Sequence, residues 1–159
     1  GTSSRLVGDY RLGVLVQSNY GGTLRIDGRK WRGEAAEPDG SIMIVLGTDA
    51  PLSDRNLRRL AERCFGGLAR TGAALSNGSG DYALAFSTAA EVRRSPERRR
   101  DIANVSELPN DRVSPLFEAA IEATEEAILN SLFMATTTTG FDVARQRVAT
   151  VRALPLTGF

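Results

Sequence analysis

The apolar positions of the chain fall into two rhythms, one of strands and one of helices. Residues 12–17 (LGVLVQ) predict a strand, followed by a turn at Ser18-Asn19-Tyr20-Gly21-Gly22. Thr23 to Ile26 predicts a second strand ending on Asp27-Gly28, so the two together read as a hairpin. Residues 29–40 are polar, contain Gly33, Pro38, Asp39 and Gly40, and read as an exposed loop that tolerates cutting. Ser41 then opens IMIVLGT, an unbroken apolar run of strand length, as expected for a strand buried on both faces.

The rhythm changes after Ser53. Leu57, Leu60, Ala61, Cys64 and Leu68 recur at helical spacing, which predicts a helix from Asp54 to about Arg70. Ser53 or Asp54 can cap it, Gly72 can end it, and Gly66-Gly67 marks close packing. Ser76-Asn77-Gly78-Ser79-Gly80-Asp81 is a small polar loop, and Tyr82 to Thr88 returns to strand. Residues 91–112 are charged and irregular. Ser114-Pro115 opens a second helix, with Ser as cap and Pro at its first position; Phe117, Ile121, Thr124, Ile128 and Leu132 make its apolar face. A Thr run, a strand-like piece near Val148–Leu154 and a loose end follow. Buried strands alternating with amphipathic helices predict an α/β layered domain.

Composition fits a globular domain, with 42% hydrophobic and 25% charged residues. A net charge of +1 gives no broad field to draw in nucleic acid or anionic lipid. The arginine-rich run Arg93–Arg100 has no interleaved aromatics and reads as a solvated loop rather than a nucleic-acid contact. No apolar run approaches the roughly 18 residues of a membrane span. The sequence opens without Met, as a piece of a longer polypeptide would. Its targeting is therefore not legible, although the cytoplasm is favoured.

Three scarcities narrow the chemistry. The absence of His removes Ser-His-Asp and Cys-His catalysis and His-based metal sites within this chain. The single cysteine, Cys64, lies on an apolar helix face and reads as core. The single lysine, Lys30, stands in a polar stretch beside Trp31, against nineteen arginines, and is a poor base candidate. An amide hydrolase built here needs a carboxylate or a backbone α-amine as its base.

Gly40-Ser41 offers the second option. The Ser41 hydroxyl can attack the Gly40 carbonyl, and hydrolysis of the resulting ester leaves Ser41 as a new N-terminus. Its α-amine, near 7.7–8.0 in model compounds, can then serve as base for its own hydroxyl. Read locally, Gly-Ser is also a common loop dipeptide opening a strand. Within Ser76–Asp81, backbone N–H groups and hydroxyls can face an oxyanion, and Asp81 can pair with an amine or fix Ser79; read alone, the loop is better accounted for as a plain turn rich in Gly, Asn, Ser and Asp. Asn19 can donate its side-chain amide to an oxyanion or simply be a turn residue. Tyr20 and Trp31 are candidate pocket residues that nothing in the sequence singles out.

Four blocks in order, LGVLVQSNYG (12–21), GSIMIVLGTDAPL (40–52), LARTGAALSNGSGDYALAFST (68–88) and EATEEAILNSLFMATTTTG (122–140), resemble the DmpA family of L-aminopeptidase/D-esterase and β-aminopeptidase enzymes. The opening GTSSR is similar to a segment of that family's larger subunit. The resemblance implies a four-layer αββα sandwich and a precursor cut before a Ser into two subunits that stay together and oligomerise. Residues 1–40 are then the end of the larger (α) subunit, and 41–159 a smaller (β) subunit of about complete length. By position, Ser41 matches the nucleophile after Gly40, Asn19 the oxyanion-stabilising Asn, and Ser79 a hydroxyl that hydrogen-bonds the nucleophile and its amine. Asp81 stands where well-known members carry Glu.

The resemblance thus implies an autoprocessing aminopeptidase, amidase or esterase on short peptides or amino-acid amides of the L, D or β kind. It needs no metal or organic cofactor. Its expected partners are the missing part of the larger subunit and further copies of the αβ unit, with no nucleic acid and no membrane. Two alternatives stay open: acyl transfer of the ornithine acetyltransferase type, whose members typically expose Thr instead of Ser, and an inactive oligomeric module.

Overall fold

The computed structural model describes residues 1–31, 39–143 and 145–155. Most of the loop read over 29–40 and the chain end from 156 lie outside them. Two strands joined by a hairpin turn at Gly8-Asp9 begin the described fold: β1 (Thr2–Val7) and the longer β2 (Tyr10–Asn19). β3 (Arg25–Ile26) and β4 (Arg29–Lys30) form a minimal hairpin around Asp27-Gly28. Then come β5 (Ser41–Thr48), α1 (Asp54–Arg70), β6 (Gly80–Ser87) and α2 (Ser114–Phe133), joined through two single 3-10 turns in the 91–112 excursion. β7 (Thr138–Asp142) and β8 (Arg147–Val151) make a terminal hairpin.

The main sheet has the order β1-β2-β5-β6, antiparallel except for the parallel pair β5–β6, which α1 connects. Both helices cover one face. Leu12, Val14 and Val16 of β2 and Ile42, Ile44 and Leu46 of β5 point into that layer, against Leu60, Cys64 and Leu68 of α1 and Leu116, Ala120 and Ile128 of α2. The opposite face carries Leu15, Met43, Tyr82, Leu84 and Phe86, all exposed. The IMIVLGT run thus has one face buried within this chain, not two. The fold is α/β, and the described residues supply one main sheet layer and one helical layer.

Several expectations change. The segment 23–26 does not pair with β2. The Thr23 and Arg25 N–H groups instead donate to the carbonyls of Gly72 and Thr71, so this stretch lies along the end of α1. The first strand, β1, lacks an apolar rhythm because two of its three inward positions, Ser3 and Arg5, are polar. Ser3 donates to the Ala123 carbonyl at 2.7 Å, and Arg5 pairs with Glu122 and Glu126 of α2. Val113, not Ser114, holds the N-cap position of α2, and neither helix has a side-chain cap hydrogen bond. The fully buried stripe of α2 is Leu116, Ala119, Ala120, Ala123, Thr124, Ala127 and Ile128, while Phe117, Ile121 and Leu132 are only partly covered. Alanines allow the helix to lie close to the sheet, and Phe117 is turned toward the Arg59 and Arg63 guanidinium groups at 4.9 and 4.5 Å.

The expected close packing at Gly66-Gly67 is present. A Cβ on Gly67 would overlap the Ile121 carbonyl and lie 2.7 Å from Thr124 Cβ and 2.9 Å from Glu125 N. In an open helix Gly→Ala stabilises by roughly 0.5–1 kcal/mol. Here the sign reverses: Gly67→Ala destabilises by about 1–3 kcal/mol through overpacking, read as a lower urea midpoint.

Candidate active site

The sheet register gathers the candidate residues at one end. Asn19 closes β2, and its Cα partner across the antiparallel pair is Ser41, the first residue of β5. Ser41 in turn partners Gly80, the first residue of β6. Directly opposed residues project to the same face with Cβ atoms about 4.5–5.5 Å apart. The Asn19 amide and the Ser41 hydroxyl therefore share one small volume on the open face, away from the helices. Neither side chain has a hydrogen-bond partner among the described residues.

The backbone at this end is tightly fitted. A Cβ on Gly40 would overlap the Asn19 carbonyl oxygen and stand 2.5 Å from Tyr20 Cα, so only glycine fits before Ser41. The Gly40 carbonyl accepts a hydrogen bond from Gly80 N–H at 3.1 Å. The carbonyl carbon next to Ser41 thus carries a donor on its oxygen, in line with the parallel ladder.

Ser79 and Asp81 flank Gly80. Ser79 Oγ donates to Asp81 Oδ2 at 2.7 Å. Asp81 partners Ile42 in the register, so it leans to the helix side of the sheet edge while Ser41 leans to the other. No hydrogen bond joins Ser79 or Asp81 to Ser41 while the Gly40–Ser41 bond is intact. Asp81 Oδ1 is buried and has no partner among the described residues. A buried carboxylate oxygen without a donor is costly.

Tyr20, a candidate pocket residue from the sequence, is tied to the end of α1. Its hydroxyl lies 2.7 Å from Thr71 Oγ1, and Thr71 spends its own hydrogen on the Leu68 carbonyl, which makes Tyr20 the donor. Burial pushes the Tyr20 phenol above its ordinary range; the Thr71 bond acts the other way and the nearby Asp81 charge adds to the rise. The phenol is therefore neutral at neutral pH. It ties the end of β2, and with it Asn19, to the C-terminal turn of α1. The Asn-Tyr step just past an apolar strand was the only signal in the sequence.

Cys64 is fully buried and hydrogen-bonds weakly to the Leu60 carbonyl, and burial raises its thiol, as befits a core residue. Among the described residues no group of three His, Cys, Asp or Glu side chains is placed to hold a metal ion, and no helix is long and apolar enough to cross a membrane.

Comparison with known proteins adds the family. The model of peptidase family S58 matches residues 1–146. The beta-peptidyl aminopeptidase BapA of Sphingosinicella microcystinivorans is 40% identical over 184 aligned positions, which cover 97% of this chain and 46% of that protein. Among solved structures, the PH0078 protein from Pyrococcus horikoshii OT3 superposes with a TM-score of 0.81 at 42% identity, over 98% of this chain and 44% of that one. The L-aminopeptidase D-Ala-esterase/amidase from Ochrobactrum anthropi, described as a variant of the Ntn hydrolase fold, gives 0.81 at 33% identity, over 98% and 44%. This chain spans less than half the length of each of these relatives. With the match running through β2, the Gly40-Ser41 junction and the 76–81 loop, the chain belongs to peptidase family S58.

Proposed function

We propose that the full protein is a self-cleaving, N-terminal serine amide hydrolase, an aminopeptidase, amidase or esterase acting on short peptides or amino-acid amides of the L, D or β kind. The observation that carries this is the meeting of Asn19, Ser41 and Gly80 at one sheet end, with a Gly40 carbonyl already hydrogen-bonded beside the Ser41 hydroxyl. Hydrolysis of the Gly40–Ser41 bond divides the chain into residues 1–40 of a larger subunit and 41–159 of a smaller one. The freed Ser41 amine takes the proton from its own Oγ as the hydroxyl attacks the substrate carbonyl. The Asn19 amide donates to the oxyanion. Water then releases the acyl group.

Asp81 is suited to the new amine. Its orphaned Oδ1 is placed on the strand beside Ser41, and Ser79 fixes the other oxygen. An ammonium formed after cleavage satisfies that oxygen, and Ser79 keeps the carboxylate oriented. Asp81 is shorter than a glutamate, so it supplies the same charge but reaches less far toward the amine.

The exposed apolar face of the sheet, with Met43, Leu84 and Phe86, suits the remaining part of the larger subunit, which would add the second sheet of the sandwich and the rest of the substrate pocket. Further copies of the αβ unit complete the assembly. The reaction uses only Ser41, its amine, hydrogen-bond donors and water, so no cofactor is required. The test is to give the matured full-length protein an amino-acid amide or β-amino-acid amide together with an added acceptor amine. Release of free amino acid supports hydrolysis; transfer to the amine as the main product supports acyl transfer instead.

A further inference from the structure

The 76–80 loop does more than border Ser41. It grips the two residues that precede the bond to be cut. Ser76 Oγ donates to Asp39 Oδ1 at 3.0 Å. Gly78 makes room for the same carboxylate, since a Cβ there would lie 2.7 Å from Asp39 Oδ1 and 3.0 Å from Asp39 Cγ. Gly80 N–H donates to the Gly40 carbonyl, and the Ser79 N–H to Ser76 carbonyl bond closes the loop between these two grips. Gly40 is meanwhile pressed against Asn19 and Tyr20 from the other side.

We propose that Asp39 and Ser76 are positioning residues for self-cleavage: through their hydrogen bond the 76–80 loop holds Asp39-Gly40 as a built-in substrate, setting the Gly40 carbonyl against Gly80 N–H and within reach of Ser41 Oγ. The inference rests on the self-cleavage reading above. In the step it serves, the Ser41 Oγ–C bond to Gly40 forms and the Gly40 C–N bond breaks, and the hydroxyl proton passes to the Ser41 nitrogen. Water then adds to the ester. Its hydroxyl stays on Gly40 as a carboxylic acid, and its other hydrogen returns to Ser41 Oγ. Neither Asp39 nor Ser76 exchanges a proton in this scheme. Their contribution is to raise the fraction of molecules in which the carbonyl is in place.

The grip is needed only before cleavage. After cleavage Asp39-Gly40 is a free chain end, and only this end has to leave Ser41 for an external substrate to enter, while β2 and Asn19 stay in the sheet. Replacement of Asp39 is therefore expected to slow maturation and to leave the turnover of matured enzyme alone.

The test follows full-length polypeptide made by cell-free translation, by intact mass against time. Asp39→Ala is expected to mature about threefold to tenfold more slowly, the range for losing one modest hydrogen bond. Asp39→Asn keeps an acceptor for Ser76 and is expected to restore most of the rate. Ser76→Ala is expected to slow maturation similarly, and the double variant no further than either single one. Once matured, Asp39→Ala is expected to match the wild type in kcat and KM on an amino-acid amide. Wild-type maturation rates in Asp39→Ala, or additive effects in the double variant, overturn the inference while leaving self-cleavage standing. A wild-type polypeptide that never yields a Ser41 N-terminus overturns both.

Discussion

Ser41→Ala is expected to leave the polypeptide uncut at residue 40 and to abolish turnover of amino-acid amides, by at least about 10⁴-fold in kcat/KM. Two losses act in series. Without Oγ no ester can form with Gly40, so the α-amine that serves as base is never released. Even a chain cut at this bond by other means would carry an amine but no hydroxyl to attack. Within these residues there is no His and the one Cys is buried, so neither side chain can take over as nucleophile or base. The fold is expected to survive, because Ser41 lies on the open face at a strand end and only the serine oxygen is lost. The check is intact mass for cleavage, with a thermal midpoint within a few degrees of the wild type. Ser41→Cys separates the roles further, since a thiol can make the acyl shift as a thioester.

Asn19→Ala is the second large effect, expected to lower kcat about 10²–10³-fold with little change in KM. Asn19 faces Ser41 directly across the β2–β5 pair, and its amide is not engaged by another described residue. Such an amide is available for a charge that exists only while the acyl carbon is tetrahedral. A donor aimed at that charge stabilises the transition state more than the bound substrate, so its loss falls on kcat. Asn19→Asp is nearly isosteric but exchanges the donor for an anion, and is expected to be worse than alanine. A KM-only effect in either variant would place Asn19 in ground-state binding instead.

How much of this was legible in the sequence depends on where each residue puts its polar groups. β5 stands out as an unbroken apolar run and α1 by apolar positions at helical spacing, and both begin where expected, at Ser41 and Asp54. β1 was invisible because Ser3 and Arg5 point inward and bond to α2 instead of burying carbon. The 23–26 segment has the composition of a hairpin strand, but its N–H groups go to the end of α1, a partner nearly fifty residues away that no local pattern reveals. On α2, Thr124 and Ile128 lie on the buried face as expected, while Phe117, Ile121 and Leu132 are only partly covered because alanines do the close packing.

In the candidate site, the sequence offers residue types but not their geometry. The lack of His pointed to an amine as base, and Gly40-Ser41 to its source. That Asn19, Ser41 and Gly80 stand side by side follows from the strand register, which the sequence does not state. Tyr20, Asp39 and Ser76 were legible only in three dimensions, because each acts through one hydrogen bond to a residue distant in the chain.

The most direct test of the central claim is intact mass and N-terminal sequencing of the purified full-length protein. The account predicts two fragments, one ending at Gly40 and one beginning Ser41-Ile42-Met43. A fully active preparation whose polypeptide runs unbroken through residue 41 would contradict it.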